Sequence, residues 1–348
     1  MGMSNDLEAA IAEGSTLIRV GLPYSVLAAS SAHLFKLPTK QTSYLASSKY
    51  VRIRGCCTAT FSAALAFLTG QGEILRSTTI GFIGAGNMAN GLIRGLIAKN
   101  TGPENIWASD PDESKLQLLA QDCAIHTGSN TDIARNASVI ILAVKPQVMR
   151  DACKALAADI DQRKVLLVSI AAGITTSHLE SWFGESAAIV RCMPNTPALV
   201  GMGASGLFAN AKVTEKQKQL AQEVISTVGF ATWVDTDSDI DIVTAISGSG
   251  PAYFFLFMEA MQATAIEMGL SEDLARALTY HTAAGAAALA QYSEDDIATL
   301  RRNVTSPGGT TEQAILQFEG GDLRGLVAKA LEAARIRSVE LAEETDRT

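Results

Sequence analysis

The sequence predicts an α/β protein in which a doubly wound parallel sheet is followed by an all-helical domain. Short apolar runs alternate with amphipathic helical patterns between residues 78 and 236, an alternation typical of β-α units that build a parallel sheet. From residue 237 to residue 348 nearly every stretch has helical periodicity. We therefore predict two domains, 78–236 and 237–348, after an N-terminal segment, 1–77, of different composition.

Composition narrows the class of protein. The chain of 348 residues is 47% hydrophobic and carries a net charge of −8, so a large core is expected and a basic surface for nucleic acid is not. Uninterrupted apolar runs are shorter than the roughly 18–20 residues of a membrane span. The five cysteines and four histidines lack metal-ligand spacing, so no metal site is predicted. An odd cysteine count is typical of a reducing compartment, and we expect a cytoplasmic enzyme of small molecules.

The first 77 residues differ in kind from the rest. They carry seven basic and four acidic residues, and residues 14–72 contain no Asp or Glu, as in organelle transit peptides. Residues 1–21, MGMSNDLEAAIAEGSTLIRVG, resemble the C-terminal tail of the pyridoxal-phosphate homeostasis protein family. We interpret the segment as an inert or mis-started extension; a targeting segment or a small functional domain are the alternatives.

A glycine-rich turn follows the first predicted strand, residues 79–83. It reads Gly-Ala-Gly-Asn-Met-Ala from Gly84 and leads into a helical pattern, which is the G-x-G-x-x-A arrangement of Rossmann-type dinucleotide sites. Gly84 permits the tight turn, and Gly86 lets a pyrophosphate approach the backbone. The N–H groups at the start of the helix then face the phosphates. A glycine-rich turn without a ligand is the alternative interpretation.

The remaining apolar runs place further residues beside this turn. We predict strands at residues 105–108, 137–144, 165–170 and 188–192, with helices between them such as 148–158. Ligands of such sheets bind beyond the carboxyl ends of the strands. That rule gathers residues 84–88, Ser109, 143–146 and 170–173 on one rim.

The choice of dinucleotide stays open at this point. Asp110 lies 26 positions after Gly84, near where an acid binds a ribose 2′-hydroxyl and favours NAD. Ser109 can equally donate to a 2′-phosphate, and Lys115 is the nearest following cation. Asp110 before Pro111 is also compatible with turn chemistry alone.

The helical half contains long apolar stretches and two unusual loops. Residues 252–268, 273–290 and 323–341 form three helical patterns with more apolar surface than one small bundle hides, which predicts self-association; packing onto the sheet domain is the alternative. The loops SGSGPAY (247–253) and VTSPGGTTE (304–312) each open a predicted helix, with Ser and Thr as caps. Exposed N–H groups of residues 308–311 would bind a carboxylate; a well-capped helix start is the alternative.

Six motifs in this order resemble the pyrroline-5-carboxylate reductase family: IGFIGAGNMA, LAVKPQ, VSIAAGIT, RCMPNTPAL, SGSGPAYFF and VTSPGGTTEQAI, between residues 78 and 343. The resemblance implies reduction of L-1-pyrroline-5-carboxylate to L-proline, the last step of proline biosynthesis, with NADPH or NADH. It also implies a homodimer with swapped helices, with rings of dimers as a larger assembly.

The resemblance assigns roles by position. It assigns to the dinucleotide Ile83, Gly84, Ala85, Gly86, Asn87, Met88, Ser109, Asn130, Ala143, Val144, Lys145, Pro146, Ile170, Ala171 and Ala172. It assigns to the substrate Asn303, Ser306, Gly308, Gly309, Thr310 and Thr311. Thr311 would be the catalytic residue, closest to the ring nitrogen. The motif loops contain no histidine or paired carboxylates, so no strong general acid is expected.

Two alternatives to this function remain. A β-hydroxyacid dehydrogenase has a similar two-part build and needs a lysine base early in its second domain, but no lysine occurs between Lys218 and Lys329. A non-catalytic dinucleotide sensor would bind the dinucleotide without turnover, which an activity assay would reveal.

Overall fold

The computed structural model describes residues 75–160 and 165–347. The interpretations of residues 1–74, including the likeness of the first 21, lie outside the described residues. Leu75 is buried in the core, and the Arg76 carbonyl accepts a hydrogen bond from the Asn105 side-chain amide at 2.9 Å. Packing therefore begins at least three residues before Thr78, the predicted start of the domain.

Eight strands of the described chain form one sheet. They are β1 (Ile80–Ile83), β2 (Ile106–Ser109), β3 (His126–Thr127), β4 (Val139–Leu142), β5 (Leu166–Ser169), β6 (Ala188–Met193), β7 (Gly203–Ala209) and β8 (Gly229–Trp233). Their order is β3-β2-β1-β4-β5-β6-β7-β8. All neighbours are parallel except β6 and β7, which are antiparallel. The chain turns to the other half of the sheet between β1 and β4, which confirms the doubly wound class.

Twelve α-helices lie in the described residues: α1 (Asn87–Ala98), α2 (Glu113–Cys123), α3 (Asn130–Asn136), α4 (Pro146–Ile160), α5 (Thr176–Phe183), α6 (Glu215–Ser226), α7 (Asp239–Val243), α8 (Gly250–Glu267), α9 (Glu272–Tyr292), α10 (Ile297–Asn303), α11 (Thr310–Gly320) and α12 (Leu323–Asp346). Short 3-10 helices occupy Pro103–Asn105 and Thr196–Val200, and a π-helical turn spans Thr244–Gly248.

Helices cover both faces of the sheet. Phe82 of β1 belongs to a core cluster that includes buried side chains of α1, α2 and α6. Its neighbour Ile83 belongs to a second cluster with α3, α4 and α5. Successive side chains of a strand point to opposite faces, so the nearly continuous apolar strands are explained by burial on both sides.

The five predicted strands form with ends shifted by a residue or two. The apolar pattern does not predict β3, β7 or β8. β7 reads GASGLFA and lacks a continuous apolar run. It is a strand because it pairs with β6 and β8, which are distant in the sequence. β3 is two residues long, below the length at which a pattern can be recognised.

The helical half leaves much apolar surface exposed in the single chain. Phe254, Phe255 and Leu256 of α8 are 67%, 61% and 68% exposed, and Leu289 of α9 is 55% exposed. These helices therefore do more than cover the sheet. By length and composition alone, the continuous helix Asp239–Glu267 could also cross a membrane, which the count of uninterrupted apolar residues did not anticipate. A helix that packs against another protein chain can satisfy the same criterion of length and composition, so one such helix is weak evidence for a membrane-spanning segment.

Both predicted helix caps in this half are wrong. Ser249 precedes α8 in helical conformation without a side-chain cap, because the π-helical turn joins α7 and α8 into one helix that begins earlier. Gly309 takes the N-cap position of α11, again without a side-chain cap. The serines and threonines of the two motifs are thus left for other contacts.

Candidate functional site

The predicted rim exists as a set of adjacent strand ends. The Gly84 N–H donates to the Ser109 carbonyl at 2.8 Å, and the Ala143 N–H donates to the Ile83 carbonyl at 2.8 Å. The Ile170 N–H donates to the last carbonyl of β4 at 3.1 Å. The carboxyl ends of β2, β1, β4 and β5 therefore lie side by side. This edge brings together the predicted residues that follow these strands.

The two glycines of the turn have different physical roles. Gly84 has a φ of +100°, and a Cβ there would lie 2.7 Å from the Ala143 carbonyl oxygen, so the turn requires glycine. Gly86 is extended and begins α1, and a Cβ there would meet nothing within 4 Å. Open space above Gly86 is the room that a pyrophosphate needs beside the backbone.

Helix α1 begins without a side-chain cap, unlike α2 and α3, which Asp112 and Ser129 cap. The N–H groups of its first turn have no intrahelical acceptor, and Asn87 is exposed at this position. An anion at the positive end of the helix would satisfy them. The geometry of the turn and the uncapped helix thus fit a dinucleotide phosphate.

Asp110 is engaged by the protein itself. Its carboxylate accepts the Ala85 N–H at 2.8 Å and the Asp112 N–H at 2.9 Å, while the Lys115 ammonium lies 4.0 Å away. The interpretation as turn chemistry is therefore the one that the structure favours over a free ribose acceptor. The acid fixes the glycine-rich turn to the end of β2.

Ser109 and Asn130 are brought together although 21 residues separate them. The buried Ser109 hydroxyl donates to the Asn130 side-chain oxygen at 2.6 Å. Asn130 is the first residue of α3 and is half-buried. These two polar side chains lie at the β2 side of the rim, where the adenosine half of a dinucleotide binds in this fold.

The β4 and β5 side of the rim is more apolar. Val144 is half-buried, Ala171 is buried, and Pro146 begins α4. Lys145 is exposed, with no ion pair among the described residues. Gly173 closes the β5–α5 loop with a φ of +72°. The remaining predicted residues of this side, Ala143, Ile170 and Ala172, are half-buried.

The second motif forms a compact turn between α10 and α11. Gly309 donates its N–H to the Ser306 carbonyl at 3.0 Å. The Gly308 N–H donates to the Glu312 carboxylate at 2.7 Å, so the expectation that this N–H is free is wrong for the single chain. This bond nevertheless shows that the turn can donate a backbone N–H to a carboxylate oxygen. Thr311 is half-buried at the start of α11.

Among the described residues, the hydrogen bonds of this turn are separate from those of the rim. The hydrogen bonds that the described residues 303–311 make are local; Asn303, for example, lies 3.4 Å from Asp295 through its side-chain amide. Throughout the described part of the chain, no hydrogen bond or ion pair joins the turn to the rim. No polar contact of the described chain therefore links the residues predicted for the substrate to those predicted for the dinucleotide.

The sequence patterns did not reveal a buried polar cluster between β6 and the start of the helical half. Arg191 of β6 is 1% exposed and forms ion pairs with Asp237 and Asp241. The signal was present, because an arginine inside the apolar run AIVRCM must find buried partners. Its partners lie 46 and 50 positions away, which a local pattern does not reveal.

The described cysteines offer no nucleophile. Cys123, Cys153 and Cys192 are free and buried. Burial raises the pKa of the Cys153 thiol to about 12 and also raises the pKa of the Cys192 thiol, so both stay protonated at neutral pH. Within residues 75–160 and 165–347, no group of three or more His, Cys, Asp or Glu side chains is placed to hold a metal ion.

The doubly wound sheet, the glycine-rich turn on its rim and the helical second domain are those of a Rossmann-type oxidoreductase. A family model described as NADP oxidoreductase, coenzyme F420-dependent, matches residues 79–173. A second, described as pyrroline-5-carboxylate reductase dimerisation, matches residues 237–341. The second match contains the whole apolar helix Asp239–Glu267 and nearly all of the helices that follow it.

Named relatives then identify the family. The chain is 50% identical to the pyrroline-5-carboxylate reductase of Pseudomonas aeruginosa over 266 residues, 76% of this chain and 97% of that protein. It is 37% identical to the one from Pisum sativum over 267 residues, again 76% and 97%. This chain belongs to the pyrroline-5-carboxylate reductase family, and the β-hydroxyacid dehydrogenase alternative is not favoured.

Solved structures agree. The pyrroline-5-carboxylate reductase of Coxiella burnetii is similar with a TM-score of 0.74 and 45% identity, covering 76% of this chain and 99% of that one. The Plasmodium falciparum pyrroline carboxylate reductase with NADP bound has a TM-score of 0.69 and 30% identity, covering 77% and 99%.

Proposed function

We propose that this protein reduces L-1-pyrroline-5-carboxylate to L-proline with NADPH, the last step of proline biosynthesis. The observation that carries the proposal is family membership over 97% of a relative's length. NADPH is preferred to NADH because a similar structure holds NADP and because the Asp110 carboxylate is already bonded to the loop. The free and buried cysteines fit a cytoplasmic enzyme.

The chain's own residues would hold the dinucleotide along the rim. The turn from Ile83 to Met88 and the first N–H groups of α1 would bind the pyrophosphate. Ser109 and Asn130 would flank the adenosine ribose. Residues 143–146 and 170–172 would enclose the other end. All of them except the exposed Lys145 are apolar and at least half-buried, which would limit the access of water there. When bound, NADPH supplies the hydride.

The substrate would bind at the turn between α10 and α11. Asn303, Ser306 and the N–H groups of residues 308–311 would hold its carboxylate. In the single chain the Gly308 N–H contacts Glu312 and the Gly309 N–H contacts the Ser306 carbonyl, and the substrate would replace both contacts. The Thr311 hydroxyl would donate to the ring nitrogen. Its proton is too weakly acidic for it to act as a strong acid, so it orients and polarises the imine.

A second copy would complete the site. The turn and the rim share no hydrogen bond within the described chain, and the helices between them expose large apolar side chains. In a homodimer with swapped helices, the turn of one subunit would meet the rim of its partner. Rings of such dimers are the larger assembly that we propose.

The direct test is an assay of the full chain. With pyrroline-5-carboxylate present, we expect loss of NADPH absorbance and formation of proline. NADPH binding without turnover would retain the dinucleotide site and overturn the proposed substrate; that outcome also describes a non-catalytic sensor.

Replacing Thr311 by alanine should lower kcat/KM by about 5- to 150-fold, since one polar contact is worth roughly 1–3 kcal/mol. Thr311→Ser keeps the hydroxyl and should retain most activity. Thr232→Ala, at an exposed threonine of β8 outside the helical half, is the matched control. Steady-state kinetics measure the effect, and an unchanged kcat/KM in Thr311→Ala would remove the hydroxyl from the mechanism.

A further inference from the structure

A buried arginine fixes the point where the chain leaves the sheet. The Arg191 guanidinium donates to the Asp237 carboxylate at 3.1 Å and to the Asp241 carboxylate at 3.0 Å. It also donates to the Asp237 backbone carbonyl at 3.0 Å. A buried charge is stable only when such partners surround it. The first residues of the helical half are therefore held against β6.

The C-terminal helix joins this cluster through one hydroxyl. Ser338 of α12 is 2% exposed, and its hydroxyl donates to the Asp241 carboxylate at 2.8 Å. The accepting oxygen is the one that Arg191 also contacts. Ser338 thus links α12 to β6 through a hydrogen bond to a charged group, a strong class of hydrogen bond.

One turn further along, α12 lies directly on the loop between β5 and α5. A Cβ at Gly173 would be 2.9 Å from the Leu341 Cβ and 3.4 Å from the Leu341 carbonyl carbon. The backbones of the loop and the helix are therefore in close contact. Ile170, Ala171 and Ala172, which we propose to hold the dinucleotide, come immediately before Gly173.

The far side of the loop, at the start of α5, is held by Asp237 and by the end of α12. Thr176 donates its N–H and its hydroxyl to the Asp237 carboxylate, both at 3.1 Å. His178 lies 2.7 Å from the Asp346 carboxylate through Nε2. His178 Nδ1 accepts the Thr175 N–H, so Nε2 carries the proton and donates.

We infer that α12 positions the β5–α5 loop for the dinucleotide and that Ser338 is the positioning residue that fixes α12. The inference rests on the proposed function, since it assumes that residues 170–172 bind the dinucleotide. The Ser338 hydrogen bond holds α12 in place, and α12 in turn contacts the loop at Gly173 through Leu341. Without that bond, the loop gains freedom that binding must then remove.

The test compares Ser338→Ala with Ser338→Thr, which keeps the hydroxyl. Ser181→Ala is the matched control, since the Ser181 hydroxyl donates only within its own helix, to the His178 carbonyl. Amide hydrogen exchange of residues 170–178 is measured in the protein without dinucleotide. NADPH affinity is measured by fluorescence, and kcat and KM by turnover.

In Ser338→Ala we expect exchange of residues 170–178 to be about tenfold faster and NADPH affinity about tenfold weaker. The KM for pyrroline-5-carboxylate should stay within about twofold, because the α10–α11 turn is untouched. Ser338→Thr should restore both values. Unchanged exchange in Ser338→Ala, or equal effects in Ser181→Ala, would overturn the inference.

A second variant covers misfolding of the first. Asp346→Ala removes an exposed side chain at the end of α12 and breaks only the contact to His178. We expect faster exchange confined to residues 175–178, and no change there would also count against the inference. Exchange and NADPH binding need no turnover, so failure of the proposed reaction would be distinguishable from failure of the positioning role.

Discussion

Replacing Gly86 by valine is expected to abolish dinucleotide binding while leaving the free energy of unfolding nearly unchanged. A Cβ at this position meets no atom within 4 Å, and the backbone is extended with a φ of −70°, so the fold can accept the side chain. The added methyl groups would fill the space proposed for the pyrophosphate. We expect NADPH affinity to fall by roughly 100-fold or more, because overpacking costs a few kcal/mol.

Fluorescence titration with NADPH and urea denaturation measure the two quantities. Gly320→Val is the matched control, since a Cβ there is equally free of neighbours and Gly320 ends α11 rather than following a strand of the rim. Gly84→Ala should show the opposite pattern, with loss of stability, because its φ of +100° and the Ala143 carbonyl oppose any side chain. NADPH binding retained in Gly86→Val would contradict the proposed phosphate site.

Replacing Arg191 by methionine is expected to lower the free energy of unfolding by about 3–5 kcal/mol. Methionine fills a similar volume, so the loss is electrostatic. The side chains of Asp237 and Asp241 are 25% and 11% exposed and would remain as carboxylates without their cation. We expect this to be the most destabilising single exchange in the cluster.

Denaturation at fixed protein concentration measures the loss, because association also contributes to apparent stability. Arg94→Met is the control: its ion pair with Asp122 is 51% and 56% exposed and should contribute less than about 1 kcal/mol. Adding Asp241→Asn to Arg191→Met should recover part of the stability, since it removes one uncompensated charge. If Arg191→Met lowers the free energy of unfolding no more than Arg94→Met does, the buried ion pairs do not stabilise the fold more than an exposed one.

The parts of the fold that the sequence predicts are those with local causes. The strand, glycine-rich turn and helix from Ile80 to Ala98 follow from apolar periodicity and from backbone positions that only glycine occupies. The long helices after residue 237 follow from their periodicity as well. Parallel strands end at a shared edge, so Ser109 and Ala143 could be placed on the rim before any contact was known.

Features whose partners are distant in the chain depend on tertiary packing. The antiparallel β7 depends on pairing with β6 and β8 rather than on its own composition. The role of Asp110 depends on the Ala85 N–H, 25 residues away, and Ser338 meets Asp241 across 97 residues. The dinucleotide-binding fold and the family motifs can be recognised without a structure, because both are properties of short segments. The bonding of Asp110, the Arg191 cluster and the support of the β5–α5 loop by α12 came from packing, because a buried polar group takes whichever partner the folded chain brings to it.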